Sequence, residues 1–176
     1  MTHSSDVCTF DADDFTWDVF VSHNHQQKLW VRAAVAQWRK LGLRVFFDED
    51  SILPGETILA GVERGLVGSR DVALIITPQS AASGWVALET AVFLHASCRD
   101  KRRRIFPLLL APTPLEQLPL AVQMRQFIDL TDRAARVANY RRFLRLLAQP
   151  HSAVAICLTT RHEPIVAVPD GEAGFR

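Results

Sequence analysis

The sequence predicts an α/β fold, a five-stranded parallel sheet in flavodoxin-like doubly wound order with helices on both faces. Three observations carry that expectation. Short apolar stretches alternate with segments of 3.6-residue periodicity. The connections between them are short, which suits strands wound in parallel through helices. One stretch, DVALIIT at 71–77, is apolar almost throughout, as a strand covered on both faces must be.

Taken in order, residues 1–15 read as a flexible lead-in, and WDVFVS (17–22) as the first strand, ended by polar HNHQQK. Over 28–41, Val31, Ala34, Val35, Trp38 and Leu41 recur at helical spacing, and Gly42 is a helix stop. LRVFF (43–47) is the second strand. DEDSILPGE (48–56) is acidic and then Pro-Gly, a loop by its turn chemistry. Ile58, Val62 and Leu66 make one face of a second helix ending near Gly68. After the third strand, residues 78–84 read as a loop leading into a helix that holds Trp85 and Glu89 and runs to about Cys98. RIFPLLL (104–110) is a fourth strand, placed near an edge by Pro107. FIDL (127–130) is a short fifth strand, and 133–148 a last helix with an arginine-rich outer face. The tail, 150–176, reads as an appended hairpin or the start of a further domain, leaving 16–149 as the main domain.

Composition narrows the partners. The net charge is +1, with 48% hydrophobic and 22% charged residues, which suits a soluble domain rather than a dedicated nucleic-acid or membrane-surface binder. The basic run CRDKRRR (98–104) reads as a solvated turn before a strand. Cys8, Cys98 and Cys157 form no disulfide framework and no metal spacing, so a reducing, cytoplasmic setting is expected. Residues 1–14 lack the apolar core of a secretory signal, and no segment has the roughly 20 apolar residues needed to span a bilayer.

In an open parallel sheet, ligands bind beyond the carboxyl ends of the strands where strand order reverses. Here that crevice lies between the loop Ser22–His23–Asn24–His25 and the segment leading to Trp85 and Glu89. Glu89 shares a helical face with Trp85, Val92 and Ala96, and a carboxylate in an apolar stripe needs a partner or a task. If Ser83 caps that helix, Glu89 lies too far in to be a capping acid; a structural arginine partner remains the plain alternative. His23 and His25 also have a plain reading, as loop residues. The sequence lacks a P-loop, lacks a G-x-G-x-x-G after the first strand, and has Ser22–His23 and Thr77 where a phosphate-accepting receiver would carry acids. On the acidic loop, Ile52 and Leu53 form an expected exposed apolar pair that suggests docking on a neighbouring copy.

WDVFVSH resembles the first box of Toll/interleukin-1 receptor (TIR) domains, VFFDEDSILPGE the second, and SGWVALE the W-x-x-x-E segment of their enzymatic members; the terse loops and the second box look more like prokaryotic members than animal receptors. The resemblance covers 17–148; the family's third box is not evident, Phe127 being nearest. It implies cleavage of NAD⁺ at the nicotinamide–ribose bond, giving nicotinamide and ADP-ribose or a cyclic isomer. NAD⁺ would be the substrate, with no cofactor and no metal. Glu89 would be catalytic: bond breaking passes through an oxocarbenium-like state, which a carboxylate beside the ribose stabilises. Ser22, His23 and Asn24 would approach the ribose and phosphates, Asp50 the substrate or a neighbour, and Trp85 the nicotinamide or ribose. Ile52, Leu53, Pro54 and Gly55 would form the loop for head-to-tail self-association. The resemblance also implies an effector domain of a defence or signalling protein, antiviral defence included, fused or coupled to a sensor and activated by oligomerisation. The alternative it leaves is a non-catalytic TIR–TIR interaction module.

Overall fold

The computed structural model describes residues 15–82, 102–149 and 168–169. Trp85, Glu89 and their expected helix, and most of the tail, lie outside these residues. The strands are β1 (Trp17–Ser22), β2 (Val45–Phe46), β3 (Ser69–Ile76), β4 (Arg104–Leu109) and β5 (Ile128–Asp129). They form one five-stranded sheet in the order β2-β1-β3-β4-β5, and every neighbouring pair is parallel. The expected fold class is thus observed. The helices are α1 (Lys28–Lys40), α2 (Asp48–Ser51), α3 (Ile58–Gly68), α4 (Pro78–Ala81), α5 (Leu120–Gln123) and α6 (Arg136–Ala148).

The two-residue period of a strand divides the core in two. Val19 and Val21, Val45 and Phe47, Ala73 and Ile75, and Phe106 and Leu108 face one way. They meet Trp30, Val31, Ala34, Val35 and Trp38 of α1, and Tyr140, Phe143, Leu144 and Leu147 of α6. Phe20, Phe46, Val72, Leu74, Ile76 and Ile105 face the other way, onto Val62 and Leu66 of α3 and Val122 of α5. From the tail, Val168 packs on the first cluster. In α1, Trp38 donates from its indole nitrogen to the Tyr140 hydroxyl (2.8 Å), which donates to Gln37 Oε1 (2.8 Å). Gly42 follows α1 with φ of 86°, a left-handed cap that a side chain would strain.

Several expected boundaries move, each for a local reason. The strand expected over 43–47 pairs only at Val45 and Phe46. The Arg44 amide donates to the Asp18 carboxylate (2.7 Å) instead of the ladder, and at Phe47 the chain turns into α2. Ile58 and Leu59 are exposed; the buried face of α3 is Gly61, Val62, Gly65 and Leu66. A Cβ on Gly65 would stand 2.6 Å from the Phe46 ring, so the glycine lets α3 lie against β2. The expected loop at 78–84 begins as the helical turn α4. Its capping box pairs the Ser80 amide with Thr77 Oγ1 (3.3 Å) and the Thr77 amide with Ser80 Oγ (2.8 Å). β4 is an inner strand, not an edge. Its Leu110 amide bonds β3, so by alternation position 107 faces β5, whose pairing starts only at Leu108. Pro107 therefore removes a donor that has no acceptor opposite it.

Candidate functional site

β1 ends at Ser22, which is 1% exposed and paired in register with Leu74 of β3. Asn24 caps the turn His25–Gln27, its side-chain oxygen accepting from the Gln26 amide at 3.1 Å. That turn delivers the chain into α1. His25 is exposed, whereas His23 folds inward: its side chain is only 3% exposed, and its ring lies 5.4 Å from that of Phe47.

His23 Nδ1 contacts the Val21 carbonyl at 3.5 Å, and Nε2 faces Asp48 Oδ1 at 3.8 Å. Among the described residues, neither Nε2 nor Oδ1 has a hydrogen-bond partner, although both atoms are buried, and the same holds for Oε1 of buried Gln27. Unsatisfied buried polar atoms are rare in folded proteins and call for an explanation. Burial holds the His23 imidazole below its ordinary range, partly opposed by the Asp48 charge and the Val21 contact.

The acidic segment after β2 is ordered by ion pairs. The expected loop at 48–56 opens instead as the helical turn α2. Glu49 takes both arms of Arg32 (2.6 and 2.7 Å) and also pairs with Lys28 (3.2 Å). The Arg32 hydrogen bonds hold its carboxyl well down, to about 2. Asp50 takes both guanidinium nitrogens of Arg39, one at 3.0 Å, and accepts from Ser51 Oγ. Glu56 accepts from the Leu53 amide (3.0 Å) and from Arg64 (2.8 and 3.1 Å). Gly55, with φ of 88°, makes the turn between these anchors.

The structure therefore brings Ser22, His23 and Asn24 together at the end of β1 and leaves Asp50 facing α1. Of the expected exposed apolar pair, only Leu53 is exposed (62%); Ile52 packs against the α3-side core beside Gly61. With Ile58 and Leu59 also exposed, the apolar tip of this segment continues onto the start of α3. Sequence reading missed Asp48, Gln27 and the arginines. The signal for the arginines was present: Lys28, Arg32 and Arg39 lie at helical spacing opposite the apolar face. The basic run before β4 does structural work where it is described. Arg103 donates to the Leu66, Val67 and Ser69 carbonyls at the end of α3, and Arg104 to Asp71. Among the described residues, no cluster of His, Cys, Asp and Glu could hold a metal ion, and no helix is long and apolar enough to cross a membrane.

A five-stranded, all-parallel sheet with helices on both faces makes this a doubly wound α/β domain. The sequence profile described as the TIR domain matches residues 19–144, most of the chain, which therefore belongs to the TIR domain family. A curated relative, NAD(+) hydrolase TcpA from Theionarchaea archaeon (strain DG-70-1), is 32% identical over 84 residues, covering 43% of this chain and 26% of TcpA. The chain thus spans about a quarter of that protein's length. The TIR domain of the Toll-related receptor TRR-2 from Hydra magnipapillata superposes with a TM-score of 0.65 at 16% identity, covering 76% of this chain and all of that one. A TIR–STING receptor from C. gigas, in complex with 2',3'-cGAMP, gives 0.59 at 20% identity over 78% of this chain and 41% of the receptor. The last two likenesses concern the fold alone.

Proposed function

We propose that this chain is an NAD⁺ glycohydrolase of the prokaryotic TIR type. One observation carries the reading: among the described residues, His23 Nε2, Asp48 Oδ1 and Gln27 Oε1 are buried without hydrogen-bond partners around the carboxyl ends of β1 and β2. A polyhydroxylated ligand supplies the donors such atoms lack. The W-x-x-x-E segment with Trp85 and Glu89, and the relative named as an NAD(+) hydrolase, support the choice of ligand.

The reaction breaks the bond between ribose C1′ and the nicotinamide nitrogen. The bonding electrons go to the pyridinium nitrogen, and nicotinamide leaves neutral. Water adds at C1′ and loses a proton, giving ADP-ribose; attack by the substrate's own adenine nitrogen or a ribose hydroxyl gives a cyclic isomer instead. Glu89 stabilises the positive charge that develops on the ribose. Ser22, His23 and Asn24 line the ribose and phosphate side, and Trp85 flanks the flat ring. NAD⁺ is the substrate and no separate cofactor takes part.

The setting is a cytoplasmic effector domain in defence signalling, antiviral defence included, coupled to a sensor and switched on when copies associate head to tail through Leu53, Pro54 and Gly55. The alternative, a non-catalytic interaction module, is favoured by the exposed Leu53, Ile58 and Leu59. Concentrated protein incubated with NAD⁺, with products resolved by chromatography and mass spectrometry, separates the two. Nicotinamide release by the wild type, lost in Glu89→Gln with an unchanged circular dichroism spectrum, is the expected result. Wild-type turnover in the Glu89→Gln variant overturns the assignment, and a wild type without turnover leaves the interaction module.

A further inference from the structure

α1 turns an apolar face to the sheet and a basic stripe outward. Lys28 and Arg32 take Glu49, and Arg39 takes Asp50 while also donating to the Val45 carbonyl at 3.1 Å. Bidentate arginine–carboxylate pairs fix orientation as well as distance. Arg64 of α3 holds the far side, through Glu56 and the Ser51 carbonyl (2.8 Å). The segment between β2 and α3 is therefore gripped on two sides, and Leu53, Pro54 and Gly55 stand exposed between the grips.

We propose that Arg32 and Arg39 are positioning residues which, through Glu49 and Asp50, set the pose of the Leu53–Gly55 tip, and that Asp50 is an anchor of this segment rather than a substrate contact. The inference rests on the reading that the tip docks on a second copy to complete the site. A guanidinium fork already satisfies both Asp50 oxygens, and using them on substrate would break that pair. The grip also explains how a segment with a glycine turn and an exposed leucine presents one surface instead of many: docking costs less ordering entropy when the tip is already held.

The test reads hydrogen exchange at the Asp50, Ser51 and Ile52 amides, which bond the Phe47 and Asp48 carbonyls, together with NAD⁺ turnover against protein concentration. In Arg32→Ala/Arg39→Ala, exchange at these amides accelerates, and the protein concentration giving half-maximal specific activity rises roughly tenfold, the scale of two ion pairs. Turnover at saturating protein is unchanged. Exchanging the pair, Arg39→Asp with Asp50→Arg, restores both readouts. Unaltered exchange in the double alanine variant overturns the proposal. So does an exchanged pair that regains protection but not turnover, because that assigns Asp50 to substrate. A wild type with no NAD⁺ turnover, but with faster exchange and weaker self-association in the double alanine variant, rejects the NAD⁺ reading and leaves the positioning role standing.

Discussion

At the amino ends of its strands the sheet buries Asp71 completely and gives it two arginines, Arg70 (2.9 Å) and Arg104 (2.7 Å). Beside it, burial would raise the Asp18 carboxyl, but Arg44 and Arg70 bring it below its ordinary value. At the carboxyl ends, His23 and Asp48 face each other across 3.8 Å with no hydrogen bond between them. Arg70 also reaches the Leu147 carbonyl of α6 (2.6 Å), so these amino-end charges tie helix to sheet, whereas His23 Nε2 and Asp48 Oδ1 have no hydrogen-bond partner among the described residues. Polar groups that complete one another are architecture. Polar groups left incomplete beyond the carboxyl ends of the strands are the ones to test for ligand chemistry.

The sharpest break of that comparison is Asp71→Asn. Removing one partner of a buried pair strands the other charge, and about 3–5 kcal/mol of stability is expected to go, measured by urea unfolding. The folded fraction should keep its ligand affinity, and lost affinity at full folding would erase the distinction between the two ends. Next in size is Gly65→Ala, which forces a methyl into the Phe46 ring and should cost about 1–3 kcal/mol, read as a lower melting temperature. It acts on the layer between the two ends and should leave turnover per folded molecule unchanged.

The smallest effect is a pH dependence. His23 titrates below the 6.5 of the unfolded chain because burial disfavours its cation. The unfolded chain therefore takes up the proton first, and stability present above pH 6.5 is lost as pH falls from there to the depressed value. His23→Gln should flatten the melting temperature over that window. Glu49 behaves separately: its stabilisation, from a carboxyl held at about 2, fades only below the ordinary glutamate range. A His23→Gln profile that still falls below pH 6.5 would place the acid sensitivity elsewhere.

The layered architecture was legible because burial on both sheet faces writes itself into sequence twice, as the apolar run of β3 and as the stripes of α1 and α6. What was hidden depended on partners far along the chain. Asp48–Ser51 has the composition of a turn, and Lys28, Arg32 and Arg39 on one side with Arg64 on the other make it a fixed helical turn. Ile58 looks like core by spacing, but Gly61 and Gly65 bring α3 in at a rotation that leaves it outside. Ser22, His23 and Asn24 were legible through topology, which puts the end of β1 at the strand-order reversal. Asp48 was not, because its place beside His23 comes from the pairing of β1 with β2, which brings the ends of the two strands together. Trp85 and Glu89 rest on their helical spacing, outside the described residues.

Tyr140 is the only tyrosine in the chain. It is fully buried between α1 and α6, it receives the Trp38 indole, and burial pushes its hydroxyl well above the ordinary phenol range. The molecule thus carries a built-in optical gauge of one helical layer. In mild alkali the phenolate absorption band should stay silent while that layer is packed, and rise in a single step when it comes apart. Collapse on the α1–α6 side can therefore be timed by absorbance alone, with no label attached and without disturbing the face where α3 lies.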